Sequence, residues 1–593
     1  MIAPMTKYSF ILLKGDQEGL LEKLQEIGLV DITRSVKPID DKSAAILAEA
    51  ERKHALLQSL DKVEIPEGLA HSAVSGDPEE VAKAALDHLA ELEEALQTAE
   101  KEAAASEPWG EYDRDKLRAV EDAGIPVHFH ITPAKAFKAE WVDQYALSVV
   151  NELDGKVYYV VVGEDPLPDA LKRGPKASVI DIQTRIATLQ ANIDREKAVL
   201  AGVKDVRGKI ENAARRNLSD LDLYLASQAA VPAAENTLVT LVGYAPAEDE
   251  EAVTKALDAT GEYYFKDAAA VEDNPPISFR NNKFVKMFEV LTDMYGRPAY
   301  NGFDPTPFIA VFFLLFFAFC MGDAGYGLIL IVIGLLLKKV DSFKSFFPLV
   351  VTLGAATTVI GFLFHTFFSV DISQWSIFQG FPFLPSKIAG YDGTMVLALV
   401  VGVLHISLAM IVKTIEETKT KGFKESLGTW GWTLLIVGGV AVAAFALTGV
   451  LDKAATKWVI IVLGVLSCLG IFVLNNIHRN PLINIGSGLW DTYNMASGLL
   501  GDVLSYLRLY ALGLAGSMLG MAFNSIGAMI LGDGSNWAMW IPFLLIVIVG
   551  HTLNIAMCVL GAFVHPLRLN FLEFFKNSGY EAAGRNYNPL KKQ

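Results

Sequence analysis

From Phe308 onward the chain carries one apolar run after another, each near the ~20 residues that cross about 30 Å of hydrocarbon. No water-soluble core accommodates such a series, so the C-terminal half is expected to be a helical membrane domain of about eight transmembrane helices. The runs lie near 306–322, 324–338, 347–369, 394–415, 431–450, 456–475, 489–530 and 538–577. The first two are short and joined through Met321-Gly322-Asp323-Ala324-Gly325. The last two are much longer than a span and must tilt, break or extend past the bilayer. Eight crossings return the C-terminus to the side on which the N-terminus lies; seven, with 306–338 as a single unit, would not. The cations follow: Lys338, Lys339, Lys344, Lys413, Lys419, Lys421, Lys424, Arg479, Arg585, Lys591 and Lys592 fall on that side. The opposite loops hold Lys387, Lys453 and Lys457. Positive residues stay cytoplasmic, so both termini are expected there.

The rest of the chain differs in character. At 593 residues and a mean hydropathy of +0.33, several units are expected. Of the overall net charge of −16, residues 1–300 carry −19 and residues 301–593 carry +3. An acidic half of this kind excludes the basic footprint of a nucleic-acid binder. Cys320, Cys468 and Cys558 lie far apart in apolar stretches, which indicates neither a disulfide framework nor a metal site. The N-terminus, MIAPMTKYSFILLKGD, lacks the charged and long apolar regions of a signal peptide.

In residues 1–300, strand-like runs (Tyr8–Leu13, Val157–Val162, Thr237–Val242) alternate with helical ones. They predict α/β lobes near 1–45, 110–175 and 233–270. Helices near 45–105 and 177–232 run between them. Ala85, Leu89, Leu92, Leu96 and Ala99 step by 4-3-4-3, and Ile182, Ile186, Leu189, Ile193, Leu200 and Val203 do much the same. A seam of this period needs a facing helix, so an antiparallel pair of long helices is the economical reading, with two ordinary amphipathic helices as the alternative. A break is expected between Pro66 and Pro78.

Catalytic motifs are missing. The nearest approach to a phosphate loop, Gly202 to Ile210, has five residues between its glycines, ends in Ile and sits in a helical stretch. No His-Glu-x-x-His and no nucleophile elbow occurs. What remains informative is the set of polar groups inside apolar helices. Arg508 lies well inside the seventh run, and its guanidinium is protonated in any protein setting. An Arg at a helix centre costs about 2.5–3.5 kcal/mol on insertion scales and faces protein or water. Asp502, six positions back, is off its face of the helix, so Arg508 points to a partner on another chain. In the eighth run His551, Asn554 and Cys558 recur at helical spacing, followed by His565, Pro566 and Arg568, a column of about 25 Å. His365 and His405 sit in the third and fourth runs, where polar packing and an aqueous path are equal alternatives.

The stretch Gly501-Asp-Val-Leu-Ser-Tyr-Leu-Arg-Leu-Tyr-Ala-Leu-Gly-Leu-Ala515 strongly resembles the signature of subunit a of V-type and A-type rotary ATPases, called subunit I in many bacteria. Asp304–Phe308 with Met321–Gly327, Gly402–Ile406, and Gly550–Ile555 through Gly561–Leu569 are similar to further segments in order. Gly243-Tyr-Ala-Pro resembles the family's Gly-Trp-x-Pro turn, with Tyr244 in place of Trp. The resemblance implies an elongated cytoplasmic stator arm of two lobes joined by paired helices, which anchors peripheral stalks of the E/G type and meets a central-stalk connector. It implies a membrane domain packed against a rotor ring of proteolipid c/K subunits, each with a buried carboxylate. Arg508 would discharge those carboxylates, Arg568 would be a second ring-facing arginine, and polar residues would open two aqueous half-channels.

Half-channel candidates are Asp491, Asp502, Ser505, His551, Asn554, His565, His405 and Glu573. Where many bacterial relatives place Glu, this chain has Asn494, which cannot titrate and leaves Asp491 as a candidate for that channel. No cofactor, no metal and no ATP site is expected on this chain. A prokaryotic plasma membrane is the expected location. The alternative is a stand-alone secondary transporter or channel with a cytosolic regulatory domain, which would transport without a ring.

Overall fold

Long apolar segments become helices because, away from water, each backbone N–H and C=O must be paired within its own segment. The computed structural model describes residues 1–592 except 36, 67, 165–166, 168–173, 175–177, 234, 236, 341–342, 345, 374–382, 386, 389, 448–451, 476–480 and 533–535. Arg479, counted above among the cytoplasmic cations, falls outside the described residues. The chain divides into two compact units.

One unit comprises Ile11–Gly28, Ile32–Leu241 and Leu590–Gln593. It contains α1 (Gln17–Ile27), α2 (Asp41–Lys62), α3 (Pro78–Ser106), α4 (Val179–Asp205) and α5 (Arg207–Gln228). Asp77 caps α3 with Pro78 at its first position, where a missing N–H costs nothing. Ala85, Leu89 and Leu92 of α3 bury against Ile193, Leu200 and Val203 of α4. His88 meets Glu196 and Glu102 meets Arg185, so residue numbers rise on one helix as they fall on the other and the two are antiparallel. A three-stranded antiparallel sheet, Val127–Pro133, Lys156–Val162 and Leu147–Leu153 in spatial order, encloses Tyr159 and Val161.

The other unit comprises Met1–Phe10, Leu29–Asp31 and Val242–Pro589. Thr6–Phe10 pairs antiparallel with Tyr264–Ala268. The chain end pairs Arg585–Asn586 with Pro276–Ile277, and Arg585 reaches the buried Asp31 at 3.3 Å. Its apolar helices are α6 (Thr306–Met321), α7 (Ala324–Leu337), α8 (Phe347–Leu363), α9 (Gly393–Lys421), α10 (Leu427–Leu447), α11 (Lys453–Cys468), α12 (Pro481–Leu531) and α13 (Trp540–Arg568). Among the described residues, five helices are long and apolar enough to cross a membrane: α9, α10, α11, α12 and α13, the third and fifth counted with the turns that continue them. The three shorter ones, α6 to α8, have 14–17 residues. Gly322 in the left-handed region ends α6 and Asp323 caps α7, which separates the two closely joined runs.

Helices α7 and α8 meet backbone to backbone. A Cβ at Gly327 would lie 2.5 Å from the Thr358 nitrogen and 2.8 Å from the Gly354 carbonyl oxygen. Small residues allow this approach, and it supplies the packing that lipid-solvated helices need.

Two predictions follow from these contacts. Gly327→Ala pushes a methyl group into backbone that cannot swing aside, and is expected to cost about 1–3 kcal/mol. A lower midpoint in thermal unfolding of the detergent-solubilised chain checks this; an unchanged midpoint refutes it. At the start of α2, Asp40 accepts from the Ser43 amide (2.8 Å), the Ser43 hydroxyl (2.7 Å) and the Tyr224 hydroxyl (2.6 Å). These bonds, that of the Ser43 hydroxyl foremost, hold its carboxyl down at about 2. A lowered folded-state value means that the cap is fully present above about pH 4, the unfolded value, and is lost as pH falls toward 2. Hydrogen-exchange protection of the first turn of α2 should decline over that window, and should lack this dependence in Asp40→Asn.

Candidate functional site

The polar groups of the apolar helices collect along one antiparallel seam between α12 and α13. Asp502 pairs with Lys576, Ser505 lies beside Glu573, and further along Gly516 meets Asn554 and Asn524 meets His551. As numbers rise on one helix they fall on the other, so residues far apart in sequence share a level.

At one end Asp502 is buried and accepts from Lys576 Nζ at 3.3 and 3.4 Å and from Asn577 Nδ2 at 2.8 Å. Asp491 accepts from Asn475 Nδ2 at 3.4 Å. A cavity of 330 Å³ joins both carboxylates with Asn494, Lys413, Lys576 and Asn577. One turn further in, Glu573 is buried beside Ser505, whose hydroxyl donates to the Gly501 carbonyl at 3.1 Å. Glu573 sits on a π-helical turn, Leu569–Phe574, that begins three residues after Pro566. The Pro566 carbonyl accepts from Asn570 Nδ2 at 2.9 Å. Such a wide turn re-aims side chains relative to a regular helix, and these turns recur at functional sites.

Arg508 is half-buried in mid-helix, and its Nη1 is enclosed with no hydrogen-bond partner among the described residues. His565 lies within electrostatic reach of both Arg508 and Arg568, with its own Nδ1 enclosed and unpartnered. Arg568 is exposed at the end of α13. The three therefore lie together, with Arg568 within electrostatic reach of Glu573.

The remaining candidates lie in packed surroundings. His405 is completely buried, with Nδ1 2.9 Å from the Tyr506 hydroxyl. Its ring stacks on Phe574 at 4.9 Å and lies 4.2 Å from Phe312. Tyr506 reaches it across Gly402, where a Cβ would come within 2.3 Å of the tyrosine ring. His551 and Asn554 meet at Tyr326: the hydroxyl is 2.7 Å from His551 Nδ1 and accepts from Asn554 Nδ2 at 2.8 Å. His365 lies 3.2 Å from Asp371 and lines a separate 220 Å³ cavity with Tyr510, Gly513, Ser517 and Asp392.

The structure thus brings Asp491 with Asp502, Ser505 with Glu573, His565 with the two arginines, and His551 with Asn554, while His405 stands in its own aromatic cage. Lys576, Asn577, Tyr506, Tyr326 and Asn524 were not singled out in the sequence. Tyr326 and Tyr506 lie within the segments Met321–Gly327 and Gly501–Ala515, which carried the resemblance, but nothing at their own positions told them from packing aromatics.

The model of the V-type ATPase 116kDa subunit family matches residues 176–377. V-type ATP synthase subunit I 1 of Treponema pallidum is 25% identical over all of both chains. The chain is similar to subunit I of the V-type and A-type ATP synthases. The A-type ATP synthase subunits I of Methanocaldococcus jannaschii and Pyrococcus abyssi are 30% and 32% identical over 59% of this chain. The chain spans about half the length of those two relatives, 54% and 53%.

The buried His405–Tyr506 pair yields a prediction. Tyr506→Phe removes the hydroxyl that meets Nδ1, the one hydrogen bond the ring makes among the described residues. An orphaned buried polar group costs about 1–3 kcal/mol. The thermal midpoint of the detergent-solubilised chain should fall, and a midpoint equal to the parent's would place water at His405.

Proposed function

We propose that the chain is the ion-translocating stator subunit of a V/A-type rotary ATPase. Arg508 carries this reading: a permanent cation inside an apolar helix with an enclosed nitrogen and no partner among the described residues. A charge held that way is expensive unless a counter-ion visits it. The visitor is proposed to be the buried carboxylate of a rotor-ring proteolipid subunit. Facing lipid, such a carboxylate is protonated because desolvation disfavours its charge; beside Arg508 the charged form is favoured and the proton leaves. Arg568 shares the ring-facing role, and His565 lies in the field of both.

The released proton has a route on the carboxylate side. Glu573 with Ser505, then Asp502, then Asp491 mark a graded series from the arginines to the 330 Å³ cavity. We propose that this is one half-channel. Lys576 and Asn577 hold Asp502 at its inner wall. The membrane domain is proposed to make eight crossings, the three short helices α6 to α8 included, with both termini cytoplasmic in a prokaryotic plasma membrane. Residues 1–300 are proposed to form the stator arm, two lobes joined by paired helices, that binds peripheral stalks and the central-stalk connector. ATP is hydrolysed or made on other subunits.

Arg508→Ala tests the central claim in the assembled complex, reconstituted in vesicles. ATP-driven proton uptake should fall at least about tenfold, consistent with the loss of a single decisive charge, while the complex still assembles and hydrolyses ATP. Pumping near the parent rate would make Arg508 a structural residue and end this reading.

A further inference from the structure

We propose that the cluster around His551 is a proton barrier and not a stretch of a proton path. The proposal rests on the stator reading, because only in an ion-translocating subunit does a leak along the α12–α13 seam matter.

The hydrogen bonds in the cluster have one direction. Asn524 Nδ2 donates to the Phe368 carbonyl at 2.8 Å, so its Oδ1 is the atom that faces His551 Nε2 at 2.9 Å. An amide oxygen only accepts, so Nε2 carries the proton, and Nδ1 of the neutral ring accepts from the Tyr326 hydroxyl. The Tyr326 oxygen in turn accepts from Asn554 Nδ2. The Asn554 amide also donates to the Gly516 carbonyl at 2.8 Å, and its Oδ1 accepts from the Cys558 thiol at 3.4 Å. The order Cys558, Asn554, Tyr326, His551, Asn524, Phe368 is therefore fixed from its last member, a backbone carbonyl that cannot donate.

A relay must take a proton on one side and give one up on the other. A hydroxyl or an imidazole does both through exchange at a single group. A primary amide donates from nitrogen and accepts at oxygen, and neither atom titrates in the accessible pH range. Asn554 and Asn524 stand on either side of the Tyr326–His551 pair. The chain thus ties α13 to α7 and α12 while interrupting proton transfer at two points. It begins at a 110 Å³ cavity that Cys558 and Asn554 line with Leu512 and Gly561, so a wire here would have had a mouth to open into.

The anchor of this orientation is Asp323. Its carboxylate, 3% exposed, accepts from the backbone N–H groups of Gly325 (2.8 Å), Tyr326 (3.2 Å), Phe368 (2.9 Å) and Ser369 (2.6 Å). His365, Phe368 and Ser369 all have φ between 47° and 58°, a conformation that side-chain-bearing residues rarely adopt. Asp323 clamps two of these three, and with them the Phe368 carbonyl from which the chain takes its direction. Asp323 is a positioning residue: it acts on His551 through Phe368 and Asn524.

The test uses the assembled complex in proteoliposomes, with passive proton permeability and ATP-driven uptake read separately. The double variant Asn524→Asp/Asn554→Asp replaces both amides with relay-competent carboxyls. It should raise permeability without ATP by about tenfold, the scale of a 1.4 kcal/mol lower barrier. Tyr326→Phe removes the hydroxyl that a wire would need, and ATP-driven uptake should stay within about twofold of the parent. A Tyr326→Phe complex that assembles and hydrolyses ATP normally but no longer pumps would put the cluster on the path and overturn the proposal. An assembled double variant with parent-like permeability would overturn it as well. If the double variant does not assemble, the Tyr326→Phe result decides alone. Arg508→Ala in the same vesicles separates the two readings: pumping there sinks the stator function, whereas the permeability of the double variant still reports whether the cluster seals.

Discussion

The fold of the apolar helices is organised around one unneutralised charge. Arg508 cannot shed its proton, and its enclosed Nη1 finds no partner among the described residues. The nearby carboxylates do not serve it. Asp502 is occupied by Lys576 and Asn577, and Glu573 lies beside Ser505. Asp502 thus holds its own contacts, and Glu573 keeps a buried Oε2 without a hydrogen-bond partner among the described residues, while the guanidinium stays available. Had Asp502 sat four residues before Arg508 instead of six, an intrahelical pair would have formed and the charge would be spent within the chain.

Two devices keep the neighbourhood in this state. The π-turn after Pro566 carries Glu573 and Phe574, so the carboxyl meets Ser505 of α12 while the adjacent ring stacks on His405. The Tyr506–His405 bond then fixes α9 against α12 two residues before the arginine, through the gap left by Gly402. Both are packing interactions in a region where the hydrophobic effect gives no preference between helix and lipid. Small residues, ring stacking and buried hydrogen bonds have to supply specificity instead.

How much of this was legible in the sequence follows from the range of each interaction. Helices announce themselves over twenty residues, so the long apolar runs could be read directly, and Arg508 stood out because a cation in such a run is costly. Whether 306–338 is one run or two is open in the sequence and is decided by the cap at Gly322-Asp323. The seam residues Ala85, Leu89 and Leu92 were visible because helical period is local. What period cannot carry is the pairing between elements. Asp502 meets Lys576 across 74 residues, and Tyr326 meets His551 across 225. Tyr326 and Tyr506 look like core aromatics until their hydroxyls are placed. The π-turn has no sequence signature beyond Pro566, since a proline within a helix allows several local responses.

The distribution of acids along the seam adds a last step. From Asp491 to Arg508 the side chains of α12 include two carboxylates, and α13 adds Glu573 beyond Arg568. Past Arg508, from Leu509 to Leu531, α12 holds no Asp or Glu, and neither does α13 before Arg568. That portion offers the amides of Asn524 and Asn554, the Cys558 thiol, the imidazoles of His551 and His565, and glycines, with Tyr510 and Ser517 at the 220 Å³ cavity. The two sides of the arginine therefore differ in kind. In the proposed reading one would store and exchange charge at fixed carboxylates, while the other would conduct only where hydroxyls or water line a cavity, and elsewhere would be closed by side chains whose hydrogen bonds cannot reverse. Such an asymmetry is what a subunit needs if a proton is to leave a carrier on one side of a fixed cation and not slip past it to the other.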